Sequence, residues 1–535
     1  MDLEVVFTEL GQFGKYQTLQ YALLTIPLLA SAFEEISYIF TSSEVDYRCL
    51  VPECEQANTT EFSPPWLSLA VPYRGDPLQP AWCDRYGVNL AINTTAQLCS
   101  SEMFLTNVTQ TCNQWVFESK EKTIATEFKL FCEENIWRRT MVGTVNNLGL
   151  ITNYIIVCYL SDRFGRKSAL LTLTLVQGLL VILQSFSPSY STFILLEYLV
   201  CFCSTFNSAF VLAIEMVGGD KRMFANCLMN TLYSLGEVVV AIIMWWVQDY
   251  RVLLRFIGAI KLVNILYLWL VSESVHWYLT MEYYEQVVNV VKNIARLNKK
   301  QLSESTQHTL DNLVAKREKI KKAEVKVPTR SVIRELFNSR PLLSRFAICS
   351  LTWSVNVFVY FGFSLMSVTL AGNKYVNFLL IALVEVPAYA AMWLGMEFFN
   401  IGRKTALACT FLLTAVPCLI YLFVPSVIRS VQKYQPGQMV EMTIFSITIS
   451  YTVIYEVGAE VFPTELRQSM VGLCCAVGCI AGLFAPQIPL LALYINPMLL
   501  FFWLSVGAGS LSLLLPETQG RSLPDTNHCR PSSLS

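Results

Sequence analysis

Glu34, Glu35, Glu237, Lys261 and Glu385 stand inside stretches that are otherwise largely apolar. A charge at the centre of a bilayer costs roughly 2.5–3.5 kcal/mol even on the lenient insertion scale, so each is a functional hypothesis by default. Glu385, with Pro387 close behind it, is the carboxylate best placed to neutralise an ammonium group. Glu237 is a weaker candidate for the same work. Lys261 reads as a peripheral residue that snorkels or pairs, and Glu34 and Glu35 as lining of an outer vestibule. The three histidines, His276, His308 and His528, fall in polar segments, so no imidazole proton relay crosses the apolar stretches. No Ser/His/Asp set, metal-ligand spacing or phosphate loop is present, and the expectation is no enzyme, no metal and no cofactor.

A second set of charged residues recurs at a long period. Asp162-Arg163-Phe164-Gly165-Arg166-Lys167 is matched by Asn400-Ile401-Gly402-Arg403-Lys404, Glu215 and Arg222 by Glu460 and Arg467, and Glu273 by Glu517. All three correspondences have nearly the same offset, close to half the chain. Acids and guanidinium groups at the ends of neighbouring helices can latch one state and part when the halves rock. Asp162, Arg163, Arg166, Glu215, Arg222, Glu273, Arg403, Glu460, Arg467 and Glu517 are therefore the expected gating residues.

The elements that carry these groups are set by hydropathy. The chain has 535 residues with a mean hydropathy of +0.45, and 15% are charged, against about 25% in a soluble protein. Twelve apolar spans follow by window hydropathy, near 17–40, 141–160, 168–186, 192–214, 225–247 and 252–271, then 343–365, 375–396, 406–424, 440–460, 471–493 and 497–515. The first is too long and too acidic for a cleaved signal peptide. The expected fold is all-α, with twelve transmembrane helices in two pseudo-symmetric six-helix bundles, one way in which transporters are built. A net charge of −1 supplies no basic stripe for nucleic acid.

Two large loops set the orientation. The first, 41–139, carries glycosylation sequons at Asn58, Asn93 and Asn107 beside Cys49, Cys54, Cys83, Cys99, Cys112 and Cys132. An even cysteine set beside sequons reads as an oxidised extracellular mini-domain whose pairing stays open. The second, 272–342, is polar and Lys-rich and belongs in the cytoplasm with both termini. The expected organisation is residues 1–40 as N-terminal segment and first span, 41–139 as the extracellular loop, 141–271 as the rest of the first bundle, 272–342 as the cytoplasmic loop, 343–515 as the second bundle and 516–535 as the tail.

Asp162–Lys167 resembles the signature loop of the major facilitator superfamily, although Cys158 stands where that loop usually begins with Gly. The long Cys-bearing first loop, Ser272-Glu273-Ser274-Val275-His276-Trp277, the stretch Glu460–Arg467 and the stretch Leu515–Pro524 are similar to the organic cation, anion and carnitine transporter family. Val384–Tyr389 and Ala209–Leu212 look most like its carnitine and zwitterion branch. The span-four Arg of that family is replaced near Leu195 or Glu197. Cys479 occupies the span-eleven position where cation transporters carry Asp and anion and carnitine transporters Arg. The resemblance implies that Phe206, Tyr233, Trp353, Tyr360, Tyr451, Tyr455 and Cys479 wall a central cavity together with Glu385. Aromatic faces attract a desolvated cation by about 2 kcal/mol. The implied function is a multi-pass plasma-membrane carrier of small organic cations or zwitterions working by alternating access, with sodium or a proton as the candidate coupling ion. An organic anion or sugar carrier and a non-transporting receptor on a carrier fold are the competing readings.

Overall fold

The computed structural model describes residues 3–55, 61–74, 79–88, 99, 103–310, 312, 339–368, 373–398, 401–423, 435–462, 467–492 and 494–517. Among these, ten helices are long and apolar enough to cross a membrane. Spans one to five are Lys15–Thr41, Glu133–Phe164, Arg166–Gln184, the pair Tyr190–Phe202 and Phe206–Glu215, and Arg222–Val247. Spans seven to eleven are Arg340–Ser367, Lys374–Phe398, Arg403–Phe423, Gln435–Val461 and the helix starting at Arg467. Span six, Tyr250–Leu268, and span twelve, Pro497–Ser512, bring the count to twelve. Span six carries three basic residues, Arg251, Arg255 and Lys261. Arg251 donates to the carbonyls of Ser185 and Ser187, and Arg255 to Ser185 Oγ with its guanidinium 4.6 Å from the Phe186 ring centre.

Span four is not the continuous helix expected over 192–214. It breaks at Cys203-Ser204-Thr205, and the freed carbonyls of Phe202 and Ser204 accept from Asn153 Nδ2 at 2.7 and 3.0 Å. Span eleven is interrupted in the same way, by the short turn Ala485–Gln487 that contains Pro486. Irregular backbone is tolerated at membrane depth only where protein groups satisfy it, as Asn153 does here. Spans one and five pack at backbone distance, since a Cβ on Gly236 would stand 2.7 Å from that of Ala32. The halves have separate cores, one around Tyr21, Leu28, Leu170, Leu212 and Met229, the other around Trp353, Phe363, Phe411, Ile447 and Phe501.

The described part of the segment between spans six and seven contains helix where a polar loop was expected. Tyr284–Asn298 places Val287, Val288, Val291, Ile294 and Ala295 on one face, the helical period. That face packs on Val6, Phe7 and Leu10 of the helix Leu3–Leu10. Asn298 fastens the contact, accepting from Tyr16 N at 2.8 Å and donating to the Leu10 carbonyl at 3.0 Å.

Phe40–Thr140 and Gln248–Tyr250 form a second compact unit. It takes in three residues beyond the loop because Lys122 N donates to the Gln248 carbonyl at 2.9 Å and the Tyr250 hydroxyl to Glu127 at 2.8 Å. Strand Tyr47–Cys49 pairs antiparallel with Trp115–Phe117, Tyr73–Arg74 with Gln79–Pro80, and Asp84–Val88 with Phe104–Thr111. These short strands are the departure from an all-helical chain. The six cysteines pair as Cys49–Cys112, Cys54–Cys99 and Cys83–Cys132. Such staples suit a unit whose apolar core is small. Arg48 is buried, with Nη1 2.5 Å from Glu55 and Nε donating to the Phe62 carbonyl at 2.8 Å. Asn107 is exposed on its strand, whereas Asn58 and Asn93 lie outside the described residues.

Candidate functional site

Two consecutive residues of span one organise the first half. Successive side chains on an α-helix diverge by about 100°, so Glu34 and Glu35 cannot share an environment. Glu34 turns into the bundle and is 3% exposed, with its Oε2 3.8 Å from Lys261 Nζ. Gln177 bridges them, accepting from Lys261 and donating to Glu34 at 2.6 Å and to the Val200 carbonyl at 3.0 Å. Cys201 Sγ donates to the other Glu34 oxygen at 3.4 Å. Lys261 therefore does not snorkel: it is 1% exposed and reaches its partner inside the bundle.

Glu35 turns the other way, into a cavity between the two halves. Its carboxylate accepts from Ser204 Oγ at 2.6 Å, at the break of span four, and from the Tyr233 hydroxyl at 3.0 Å. It is the only charged side chain among the described residues lining this cavity. The vestibule expected for both acids is thus replaced by two distinct sites.

Seven of the expected wall residues line the same cavity: Phe206, Tyr233, Trp353, Tyr360, Tyr451, Tyr455 and Cys479. Their rings meet edge to face, Phe206 with Tyr233 at 5.0 Å and Trp353 with Tyr455 at 4.4 Å between centroids. Tyr154, Phe361, Tyr389, Asn147, Asn230, Asn356, Thr448 and Cys475 complete much of the wall. Sequence reasoning missed these, because an Asn in a transmembrane span carries no mark of the side it faces. Gly478 allows span eleven against Trp353, for its Cβ would fall 2.4 Å from the indole Cδ1.

Glu385, expected to face an ammonium group, is not among the lining residues. It is 1% exposed and stands behind the wall, accepting from Ser234 at 2.5 Å, Tyr360 at 2.7 Å and Tyr389 at 3.3 Å. Glu237 lies 3.2 Å from the same Tyr360 hydroxyl. Three hydroxyl donors occupy the Glu385 carboxylate, and Glu35 holds the position the sequence reading gave it.

The repeated charged clusters gather at one end of the spans. Arg166 reaches Asp162 at 2.8 Å and Glu215 at 3.3 Å, while Arg403 reaches Glu460 at 3.0 Å. Glu215 thus meets the signature-loop arginine rather than Arg222. Arg222 and Arg403 both lie within electrostatic reach of Glu456. Glu273 accepts from the backbone of Arg166, Lys167 and Ser274 at 3.0–3.1 Å. Burial nevertheless raises its carboxyl above the usual range, against those backbone bonds. Arg163 is exposed with its guanidinium over Phe164, so it takes no part in the cluster. The side chain of Arg467 lies outside the described residues.

The two-fold relation extends to contact detail. A Cβ on Gly165 would stand 2.4 Å from Glu273 Oε2, and one on Gly402 would stand 2.5 Å from Glu517 Oε2. Only Gly165 also has a positive φ, +102°. Gly165→Ala should therefore cost roughly 1–3 kcal/mol more than Gly402→Ala, the usual range for a backbone conformation that is nearly glycine-only. Thermal unfolding of the two variants in detergent measures the difference, and equal losses would mean that only the Glu contact matters.

The halves touch at both ends of the cavity. At the charged end Lys221 lies 3.4 Å from Glu397, Asn226 bonds Glu456 at 3.4 Å, and Phe224 meets Trp393 at 5.5 Å. At the other end Gln487 donates to Thr144 Oγ1 at 2.8 Å, and that hydroxyl donates to the Leu483 carbonyl at 3.1 Å. Between the two ends the Ser234–Glu385 and Tyr360–Glu237 contacts also join the halves, and the exposed Lys221–Glu397 pair contributes little by itself.

Comparison with known proteins agrees with this architecture. The family model described as Major Facilitator Superfamily matches residues 125–486. An organic cation transporter protein of Drosophila melanogaster is 29% identical over 534 residues, covering 98% of this chain and 94% of that one. Organic cation/carnitine transporter 2 of Rattus norvegicus is 27% identical, covering 98% and 93%. Among solved structures, an inward-open xylose transporter from E. coli superposes with a TM-score of 0.54 at 14% identity, over 76% of this chain and 93% of that one. That likeness concerns the fold alone. With the family model matched across both halves, and a cavity walled by both, the chain belongs to the major facilitator superfamily, whose members are membrane carriers rather than enzymes.

Proposed function

We propose that the protein carries small organic cations or zwitterions across the plasma membrane by alternating access, with Glu35 as the group that receives the positive charge. One observation carries this reading: the cavity is lined by aromatic faces and polar neutral groups, and Glu35 is the only charged side chain among the described residues that line it. A cation that sheds water there regains part of its solvation from the carboxylate and from ring quadrupoles. An anion would find no cationic partner among the lining residues, and burying it unpaired is costly. The names of the relatives point to the same substrate class.

The orientation belongs to the proposal. A Lys-rich segment after span six lies with both termini in the cytoplasm, by the positive-inside rule, and the disulfide-bearing unit faces outward with Asn107 as an exposed glycan acceptor. The charged clusters then gate the cytoplasmic end, and the Thr144–Gln487 contact the outer end. Both sets must break in turn as the halves rock.

The test is uptake of a charge-varied panel (an amine, a betaine and a carboxylate) in expressing cells, with and without sodium and a proton gradient. The amine and the betaine should accumulate and the carboxylate should not. Uptake of the carboxylate alone would overturn the reading, and a silent panel would favour a non-transporting receptor.

A further inference from the structure

Two residues that line the cavity each carry a buried polar atom that the described residues leave unsatisfied. Asn356 of span seven is 0% exposed, and Thr448 of span ten is 1% exposed. Both line the cavity. Asn356 Nδ2 donates to the Ile447 carbonyl at 3.1 Å, which fastens the amide to span ten beside Thr448. Among the described residues its Oδ1 has no hydrogen-bond partner, and neither has Thr448 Oγ1.

Thr448 departs from its own helix in this. The other four Ser and Thr hydroxyls between 443 and 452 bond back to the carbonyl four residues earlier: Thr443 to Met439, Ser446 to Met442, Ser450 to Ser446 and Thr452 to Thr448. That back-bond is the usual refuge of a hydroxyl in an apolar helix. A buried polar atom without a partner destabilises the protein that carries it, so such atoms are rare and call for an explanation.

We propose that Asn356 and Thr448 form a second polar subsite that receives an uncharged hydrogen-bonding group of the substrate, a hydroxyl in particular. The chemistry selects it. Asn356 Oδ1 is an acceptor because the amide nitrogen is already committed, so the ligand group must donate. Thr448 Oγ both donates and accepts, so the same group can also accept. A hydroxyl does both through one oxygen, whereas a carboxylate offers no proton to Asn356 and a methyl group satisfies neither atom. This deepens the reading of the cavity as a cation site and rests on it: Glu35 takes the charged end, and the pair on spans seven and ten reads the polar end. The preferred substrate is then an amine bearing a distal hydroxyl.

The experiment uses the full-length protein and a matched pair, 4-hydroxyphenethylamine and phenethylamine, which differ by one hydroxyl. Inhibition constants are measured against uptake of a tracer amine, for wild type and for Thr448→Val, which keeps the side-chain shape. Wild type should favour the hydroxylated amine by about tenfold, a typical gain when a ligand satisfies buried polar groups left unpaired without it. Thr448→Val should remove most of that preference, weakening the affinity for 4-hydroxyphenethylamine several-fold more than that for phenethylamine. It should also unfold at the same temperature as wild type or higher, since no internal bond is lost. Asn356→Leu is the second variant, and it too should erase the preference. Equal wild-type affinity for the two amines would overturn the subsite alone. Binding of neither would overturn the cation reading together with it. Equal loss of both amines in Thr448→Val would show a purely structural residue and overturn the assignment.

Discussion

Glu35→Gln is expected to reduce the apparent affinity for an organic monocation by roughly 10- to 100-fold, the cost of losing one charge-assisted contact in a desolvated site. The substitution keeps the shape; Ser204 Oγ and the Tyr233 hydroxyl bond the two carboxylate oxygens at 2.6 and 3.0 Å, so one hydroxyl keeps its acceptor and the other turns to accept from the amide Nε2. Surface delivery should therefore persist, and the loss should appear in KM. Glu385→Gln provides the contrast. Glu385 stands behind Tyr360 and joins span eight to Ser234 of span five, so it ties the two halves together. Its substitution should change the maximal rate with little change in KM. If Glu385→Gln raises KM as much as Glu35→Gln does, the assignment of the charge-receiving role is wrong.

Lys261→Met is expected to be strongly destabilising, by about 3–5 kcal/mol, because it leaves Glu34 buried without its counter-ion. The Lys261 amino group lies 3.8 Å from Glu34 with both residues almost fully enclosed. Gln177 also loses the donor to its amide oxygen. The double variant Lys261→Met/Glu34→Leu should recover most of the loss, since apolar replacements for a buried pair are often neutral or better. Thermal unfolding in detergent and the amount of protein at the cell surface are the measurements. A single variant as stable as wild type would show that the pair is not ionised. Neither residue lines the cavity, so the double variant should retain its amine preference.

How much of this was legible beforehand differs from residue to residue. The twelve spans and the repeat follow from hydropathy and from motifs such as Gly165-Arg166 and Gly402-Arg403, because lipid solvation acts on local composition. The partners of those motifs were legible only in part. Glu215 bonds Arg166, a contact across 49 residues that spacing alone does not select over Arg222. The helix Tyr284–Asn298 was hidden by the many lysines around it, although its apolar residues keep a helical period. The break in span four was hidden because Cys203-Ser204-Thr205 is an unremarkable helical stretch until Asn153 takes its carbonyls.

The acids show where sequence reasoning stops. Glu34, Glu35, Glu237, Lys261 and Glu385 were each identifiable as costly, since that cost depends only on a charge amid apolar neighbours in the chain. Which of them faces the cavity depends on helix rotation, and adjacent residues such as Glu34 and Glu35 take opposite roles through a turn of about 100°. The sequence by itself determined a duplicated membrane carrier with a disulfide-stapled loop and a set of buried charges. Only the tertiary structure decided the cysteine pairing, the retreat of Glu385 behind Tyr360, the burial of Lys261 against Glu34 and the emergence of Glu35 as the charged group of the cavity. Each of these is a contact between residues distant in the chain, where packing and, within the spans, helix rotation, not local composition, select the partner.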